Sequence, residues 1–422
     1  MKRVVFASLL LILVAVLLGR FVHDPLYWKR RALSLVYSPA DLPASYYEPS
    51  ETIEGSDGPS SPRVTPEEEN LDPAAVQAAV DFAESHSTSA LIVGRHGHIV
   101  FEKYWGDASF DTVIDAGAFN STLTALMVGM AIDDRKIALT SEPVANYIES
   151  FHERNRATVT LEDLLHMTSG LGINQGEGAG AGTGNTVGAV ANRGTVNTSA
   201  IPIHDQLAHD IRGQCLDLDR TAAAGSRWQP KACDPQLLAH IIERASGQQY
   251  SAYVSEKLWK RIGAGDAQLM LDHAGGTAHA SCCLRARQGD WMRIAQLLVN
   301  DGKFEGEQIL PPGWVRTMLT PSKANPRFGY QVWRGEPFVP GEDSSEPYAQ
   351  DDTFVLKGNG KTRLWLVPSM SLSILRVGTD DESDASWDDS QIPNLIIRGA
   401  SDYRPKGATG SDVDIKNLVP NH

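Results

Sequence analysis

The stretch SALIVGRHGHIVFEKYW (Ser89–Trp105) carries the pattern that sets the fold. Its two halves, Ser89–Arg95 and His98–Trp105, are rich in β-branched and aromatic residues, which favour strands. The His96-Gly97 pair between them suits a tight turn. The sequence therefore predicts a β-hairpin here, near the start of the globular part of the chain.

The stretches after the hairpin predict helices. Apolar residues at helical spacing predict a helix that begins near Asn120 or Ser121, and either side chain suits its N-cap. Thr160 and Asp163 form a near capping box at the start of a second helix. Later helices are predicted for Asp234 (N-cap) to Gly247 (C′), Ser251 to about Ile262, and Gln288 to Gly302.

The last third of the chain changes to a strand-like pattern. If these late strands pair with the early hairpin, both chain ends share one antiparallel sheet with helices packed against it. The sequence therefore predicts an α+β fold. The late strands are FGYQVW (Phe328–Trp333), TFVLK (Thr353–Lys357), TRLWLV (Thr362–Val367) and SLSILRV (Ser371–Val377).

Composition excludes several classes of protein. The chain has 422 residues, 42% hydrophobic content and a formal charge of −14, so it is too apolar to be wholly disordered. Four cysteines cannot form a disulfide scaffold of this length. The acidic balance without a basic stripe argues against nucleic acid as a partner.

The N-terminus predicts membrane attachment. Lys2 and Arg3 precede an uncharged apolar run, Val4–Gly19. At about 1.5 Å per residue this run spans about 24 Å, somewhat short of a hydrocarbon core of about 30 Å. We expect residues 1–22 to form an uncleaved anchor, with a cleaved signal peptide as the alternative.

Residues 23–70 separate this segment from the domain that we assign to residues 71–422. From about Ser38 to Asn70 the chain is rich in Pro, Ser and Glu, which predicts a flexible tether that buries no core. Basic residues are more numerous after the apolar segment than before it, which alone would place the domain in the cytoplasm.

The chain resembles the serine β-lactamase-related family, which includes class C β-lactamases, penicillin-binding DD-peptidases, esterases and 6-aminohexanoate-dimer hydrolases. This resemblance extends from about Ser89 to Gly378. It implies an antiparallel sheet with helices, an all-helical subdomain over the active-site cleft (about residues 141–310), and an extracytoplasmic location. Besides the hairpin, the matching stretches are STLTALMVGMAIDDRKI (Ser121–Ile137), LEDLLHMTSGL (Leu161–Leu171), Asp234–Gly263 and Arg293–Val315.

The resemblance also implies a catalytic motif that this chain lacks. Family members form an acyl-enzyme on the Ser of S-x-x-K, whose Lys takes the serine proton. Alignment on the helix places this motif on Ala118-Phe119-Asn120-Ser121, so Ala118 replaces the nucleophile and Ser121 replaces the base. No S-x-x-K occurs in the 422 residues.

The second and third family motifs are also altered. The Tyr of Y-x-N or Y-x-S falls on Pro230, and its partner falls on Ala232. The nearest match to K-T-G or H-x-G is the segment Lys357-Gly358-Asn359-Gly360, where Lys357 is expected to offer a cation to a carboxylate. We therefore take Asn120, Lys231 and this segment as candidates for lining a binding cleft.

Other chemistry-bearing residues have simpler interpretations. Ser121 could be a shifted nucleophile or a helix cap, and we favour the helix cap. Lys231 could be a buried base whose pKa is lowered, or a solvated loop lysine, and we favour the loop lysine. His166 is expected to be a satisfied core histidine, and Ser169 a residue of the turn that ends a helix.

The cysteines and histidines show no metal-binding spacing, and no cofactor is predicted. Cys215 and Cys233 are expected to pair in an oxidising compartment and to stay reduced in the cytoplasm. The adjacent Cys282 and Cys283 are expected simply to pack.

These features predict a membrane-anchored, periplasmic or otherwise extracytoplasmic protein of this family with a degenerate site. It would be non-hydrolytic and would bind a small peptide-like or acyl ligand. The alternative is an active amide or ester hydrolase with a rearranged site that uses Lys231 or Lys357. A weaker third interpretation is a structural protein of the cell envelope.

Overall fold

The computed structural model describes residues 24–172, 209–340, 344–379 and 386–404. The predicted anchor, residues 1–22, lies outside these ranges. Within them, no helix combines the length and the apolar content needed to cross a membrane. The α-helices of the described residues are α1 (Pro25–Val36), α2 (Pro73–Glu84), α3 (Phe119–Asp133), α4 (Leu161–Leu165), α5 (Ile211–Leu216), α6 (Cys233–Ser246), α7 (Tyr250–Val254), α8 (Gln288–Val299), α9 (Trp314–Met318) and α10 (Gln391–Arg398).

Short strands alternate with these helices, and several single turns connect them. A π-helical turn, Ser255–Trp259, extends α7. The strands are β1 (Ser50–Ile53), β2 (Thr88–Arg95), β3 (His98–Tyr104), β4 (Val113–Asp115), β5 (Leu171–Gly172), β6 (Asp219–Arg220), β7 (Ala267–Met270), β8 (Leu284–Arg287), β9 (Lys303–Phe304), β10 (Glu307–Gln308), β11 (Trp333–Arg334), β12 (Phe354–Lys357), β13 (Arg363–Val367) and β14 (Leu372–Gly378).

The main sheet confirms the predicted pairing of the early hairpin with the late strands. Its six antiparallel strands run in the order β11-β12-β13-β14-β2-β3. The junction between the two chain ends is β14 against β2, where Ile374 lies opposite Val93 and Leu375 opposite Ile92. The α+β fold predicted from the sequence is therefore confirmed.

Each face of this sheet packs against its own helices. Successive strand residues point to opposite faces, so Leu91 and Val93 join one apolar cluster and Ala90 and Ile92 join another. The first cluster includes α2 and α10. The second includes α3, α6 and α8 and continues into residues 141–310. That region is mainly helical and also holds the strand pairs β5-β6, β7-β8 and β9-β10.

The structure corrects the prediction that residues 23–70 are a tether without buried contacts. Strand β1 pairs with β7 in a four-stranded sheet of order β1-β7-β8-β4. Arg30 of α1 is 1% exposed. Its guanidinium donates hydrogen bonds to the carbonyls of Tyr46, Glu48, Leu271 and Asp272. Composition misses these contacts because a few buried residues, among them Arg30, Tyr46 and Ile53, fix a segment that is otherwise mostly polar.

Candidate functional site

The start of α3 is the place where the family resemblance puts the nucleophile. Ala118 precedes the first helical residue and is half-buried. The segment Lys357-Gly358-Asn359-Gly360 lies directly beside it. A Cβ on Gly358 would lie 2.4 Å from the carbonyl oxygen of Ala116, and one on Gly117 would lie 2.7 Å from Oδ1 of Asn359. The structure therefore brings the first and third motif positions together.

Asn120 and Ser121 face the protein interior and do not cap α3, which corrects that prediction. Asn120 is 0% exposed, and its Nδ2 donates to the carbonyl oxygens of His279 at 2.7 Å and Cys282 at 2.8 Å. Ser121 is 4% exposed, and its Oγ donates to the carbonyl oxygen of Ser281 at 3.0 Å. The first turn of α3 thus anchors a neighbouring segment and presents neither a hydroxyl nor an amine at position 118.

Lys357 is held by a carboxylate of its own chain. Its Nζ lies 3.0 Å from Oδ2 of Asp389, whose Oδ1 accepts a hydrogen bond from Nε of Arg363 at 2.8 Å. Burial would raise the pKa of Asp389, but the Arg363 and Lys357 cations hold it below its usual range. Nζ of Lys357 also lies 5.1 Å from the ring centre of Trp333. The Lys357 cation, expected to meet a ligand carboxylate, is therefore already paired with an internal carboxylate.

The second motif positions differ in exposure. Pro230 is exposed and Ala232 is buried. Between them, Lys231 is buried, so the prediction of a solvated loop lysine is wrong. Its Nζ donates to Oγ of Ser169 and to the carbonyl oxygen of Leu171, both at 3.0 Å. It also lies 3.8 Å from Oδ2 of Asp234.

Lys231, Ser169 and Asp234 form a buried polar cluster that sequence reasoning missed. Ser169 and Asp234 are both 0% exposed, and the Ser169 hydroxyl donates to Oδ1 of Asp234 at 2.7 Å. Burial lowers the pKa of Lys231 and raises that of Asp234 to about 6. Asp234 is therefore not the predicted N-cap of α6, which begins at Cys233. Lys231 and Asp234 are only three residues apart, but no local spacing could have placed the distant Ser169 against both of them.

Two half-buried tryptophans lie between the second and third motif positions. Trp228, two residues before Pro230, has its ring centre 5.5 Å from that of Trp333. Trp333 is the residue beneath the Lys357 ammonium, and Phe328 packs on it at 5.1 Å. The rings of Trp228, Trp333 and Phe328 thus form an apolar, aromatic wall beside Lys357.

The remaining candidates are structural. His166 is 5% exposed and its Nε2 lies 2.9 Å from the carbonyl oxygen of Thr320, which confirms a satisfied core histidine. A disulfide joins Cys215 of α5 to Cys233 at the start of α6. Cys282 and Cys283 are also disulfide-bonded, which differs from the expectation that they simply pack.

Comparisons with known proteins find related sequences. The Beta-lactamase family model matches residues 75–379. The chain is 23% identical over 238 residues to the 6-aminohexanoate-dimer hydrolase of Paenarthrobacter ureafaciens, covering 56% of this chain and 58% of that protein. It is 30% identical over 199 residues to esterase EstB of Burkholderia gladioli, and this match covers 42% of this chain and 46% of that protein. The matches thus span about half the length of these curated relatives.

Solved structures show the same fold. One is a Bacillus anthracis protein whose name places it with the 6-aminohexanoate-dimer hydrolases. It superposes with a TM-score of 0.64 at 18% identity, and the match covers 84% of this chain and 90% of that one.

Proposed function

Because this chain belongs to the β-lactamase family of serine hydrolases, we propose that it is a non-hydrolytic member whose cleft binds a peptide-like or acyl molecule. The observation that carries this proposal is the first turn of α3. Ala118 offers no nucleophile, and the buried Ser121 hydroxyl is bonded to the Ser281 carbonyl. Without an activated nucleophile the family reaction has no first step.

The aromatic wall beside Lys357 supports binding without chemistry. The Trp228–Trp333 wall offers apolar contact area of the kind that lines ligand sites. The relatives are named for hydrolysis of an amide dimer and of esters, so an acyl or amide group is the chemistry that we assign to the ligand.

A second candidate function is an active amide or ester hydrolase with a rearranged site. The Lys231–Ser169 contact favours it, since a lysine amine within hydrogen-bond reach of a serine hydroxyl is a nucleophile–base arrangement. Against it, the Ser169 oxygen is inaccessible and its hydrogen already bonds Asp234. We therefore assign this cluster a structural role.

Ester hydrolysis by the full chain separates the two functions. Wild type, Ala118→Ser/Ser121→Lys and Ser169→Ala are given a p-nitrophenyl acyl ester series, and intact mass is read for acyl adducts. We expect wild type to stay at the buffer rate without an adduct. Turnover that disappears in Ser169→Ala would establish the rearranged hydrolase. An acylated double variant would show that the cleft is intact.

Binding is measured separately by tryptophan fluorescence during titration with an N-acyl dipeptide. We expect saturable quenching in wild type and a loss of quenching in Trp228→Ala. A folded wild type without saturable quenching would contradict the binding proposal, and the ester assay would still report on chemistry.

We also propose that residues 1–22 anchor the chain and that its domain is extracytoplasmic. The charge-free apolar run and the two disulfides support this, since disulfides persist in oxidising compartments. The test is membrane fractionation of cells that express the full chain or a chain lacking residues 1–22, followed by thiol labelling. Free thiols at Cys215 and Cys233 in the cellular protein would contradict the extracytoplasmic location.

A further inference from the structure

Three metal-ligating side chains meet beneath the start of α3. The ligand atoms of His279, Cys282 and Cys283 all lie within 4.8 Å of one another, and all three residues are buried. A tetrahedral zinc site places its ligand atoms about 3.5 Å apart, because zinc bonds to nitrogen and sulfur are about 2.0–2.3 Å long. Once the Cys282–Cys283 bond is broken and its two sulfur atoms move apart, the three ligand atoms can bind one ion.

His279 is the ligand whose side chain is left without a polar partner by the described residues. It is 0% exposed, and neither ring nitrogen has a hydrogen-bond partner among the described residues. Buried polar groups in proteins are almost always paired, so an imidazole with two unpaired nitrogens indicates a missing partner.

The backbone around these ligands is held in place from α3. Asn120 donates to the carbonyls of His279 and Cys282. Ser121 holds the carbonyl of Ser281, and Thr124 holds that of Ala280 at 2.9 Å. Residues 279–282 are therefore fixed by side chains from the helix that begins beside Ala118, and ligand positions fixed in this way suit metal binding.

We propose that His279, Cys282 and Cys283 form a soft-metal site, for an ion such as Zn²⁺, that opens when the Cys282–Cys283 disulfide is reduced. The disulfide takes two electrons and two protons from an external dithiol, which itself becomes a disulfide. The metal ion then displaces the two thiol protons. Two thiolates, one divalent cation and a neutral imidazole give a site without net charge, which a dry interior tolerates.

This site lies outside the cleft chemistry proposed above and does not depend on it. Its geometric link to the cleft is α3, because the residues that anchor the metal ligands directly follow Ala118. The other disulfide, Cys215–Cys233, belongs to no such cluster of metal-ligating side chains among the described residues and is a matched control.

Cobalt binding tests the proposal on the full chain. The protein is reduced with tris(2-carboxyethyl)phosphine, which becomes the phosphine oxide with an oxygen from water, and is then freed of excess reagent. Reduced and oxidised samples are titrated with Co²⁺. We expect one ion per reduced chain with thiolate-to-cobalt absorption, and none in the oxidised chain. Equal cobalt binding in both samples would overturn the proposal.

Variants assign the ligands. Cys282→Ala/Cys283→Ala should abolish cobalt binding by the reduced chain, and Cys215→Ala/Cys233→Ala should leave it unchanged. His279→Leu should weaken it at least tenfold, whereas His166→Leu, at another buried histidine, should not. The assignment would be refuted if Cys282→Ala/Cys283→Ala kept cobalt binding and Cys215→Ala/Cys233→Ala lost it.

Two further measurements keep the test decisive if a variant fails to fold. X-ray absorption of the reduced wild-type complex should show two sulfur ligands and one nitrogen, and an oxygen-only shell would refute the site. Circular dichroism during reduction should show a folded chain. If the Cys282–Cys283 bond is reduced only as the chain unfolds, the proposed switch is wrong.

Discussion

Replacing Asp389 with asparagine tests the buried ion pair that holds Lys357. Asp389 is 0% exposed and lies between the Lys357 and Arg363 cations, whose side chains are 4% and 3% exposed. Asparagine has nearly the same shape and can still accept the hydrogen bond that Trp387 donates to Oδ1 at 2.6 Å. The substitution therefore removes one charge and turns an amide NH2 group, in place of Oδ2, toward the Lys357 ammonium.

The expected cost follows from this burial. Removing one partner of a buried pair leaves an uncompensated charge and costs about 3–5 kcal/mol. Here two buried cations lose their counter-charge. For a domain of this size about 2 °C of Tm corresponds to 1 kcal/mol, so we expect a fall of about 6–10 °C at pH 7.

Thermal and urea unfolding at pH 7 and at lower pH measure the effect. The control is Glu346→Gln, which breaks a pair with Arg398 whose side chains are about one third exposed; its cost should be below about 1 kcal/mol. Asp389 has a folded pKa below its usual value, so its stabilising contribution is present above the unfolded pKa and is lost as pH falls. Equal costs for the two variants at pH 7 would refute the reasoning.

Three further outcomes are expected from unfolding measurements. Gly358→Ala should cost about 1–3 kcal/mol, because its Cβ would lie 2.4 Å from the Ala116 carbonyl oxygen; an unchanged midpoint would contradict that packing. Arg30→Met should cost at least about 2 kcal/mol, because four carbonyls lose a charged donor; rapid proteolysis of residues 24–53 is its independent readout. The folded pKa of Asp234 is raised from 3.8 to about 6, so its ionisation lowers stability as pH rises through that range, by up to about 3 kcal/mol. Asp234→Asn should therefore gain stability relative to wild type between pH 4 and 6, and a pH-independent difference would refute this.

The local sequence pattern correctly predicted the elements whose stabilising contacts are between neighbours in sequence. The hairpin forms as Thr88–Arg95 and His98–Tyr104, close to the predicted strands. Thr160 and Asp163 form the capping box that their spacing indicates. The N-caps predicted at Asn120 or Ser121 and at Asp234 were wrong, because each side chain has a partner from a distant segment that outweighs the helix end.

By itself, the sequence determined the α+β class, the family and the loss of the S-x-x-K residues, because strand and helix patterns and motif identity are local properties of the chain. The tertiary structure alone decided the surroundings of the candidate residues. It buried Lys231 against Ser169 and Asp234, and it brought His279 to the Cys282–Cys283 pair under α3. Burial and charge pairing depend on which distant segments pack together, and residue spacing carries no record of that packing.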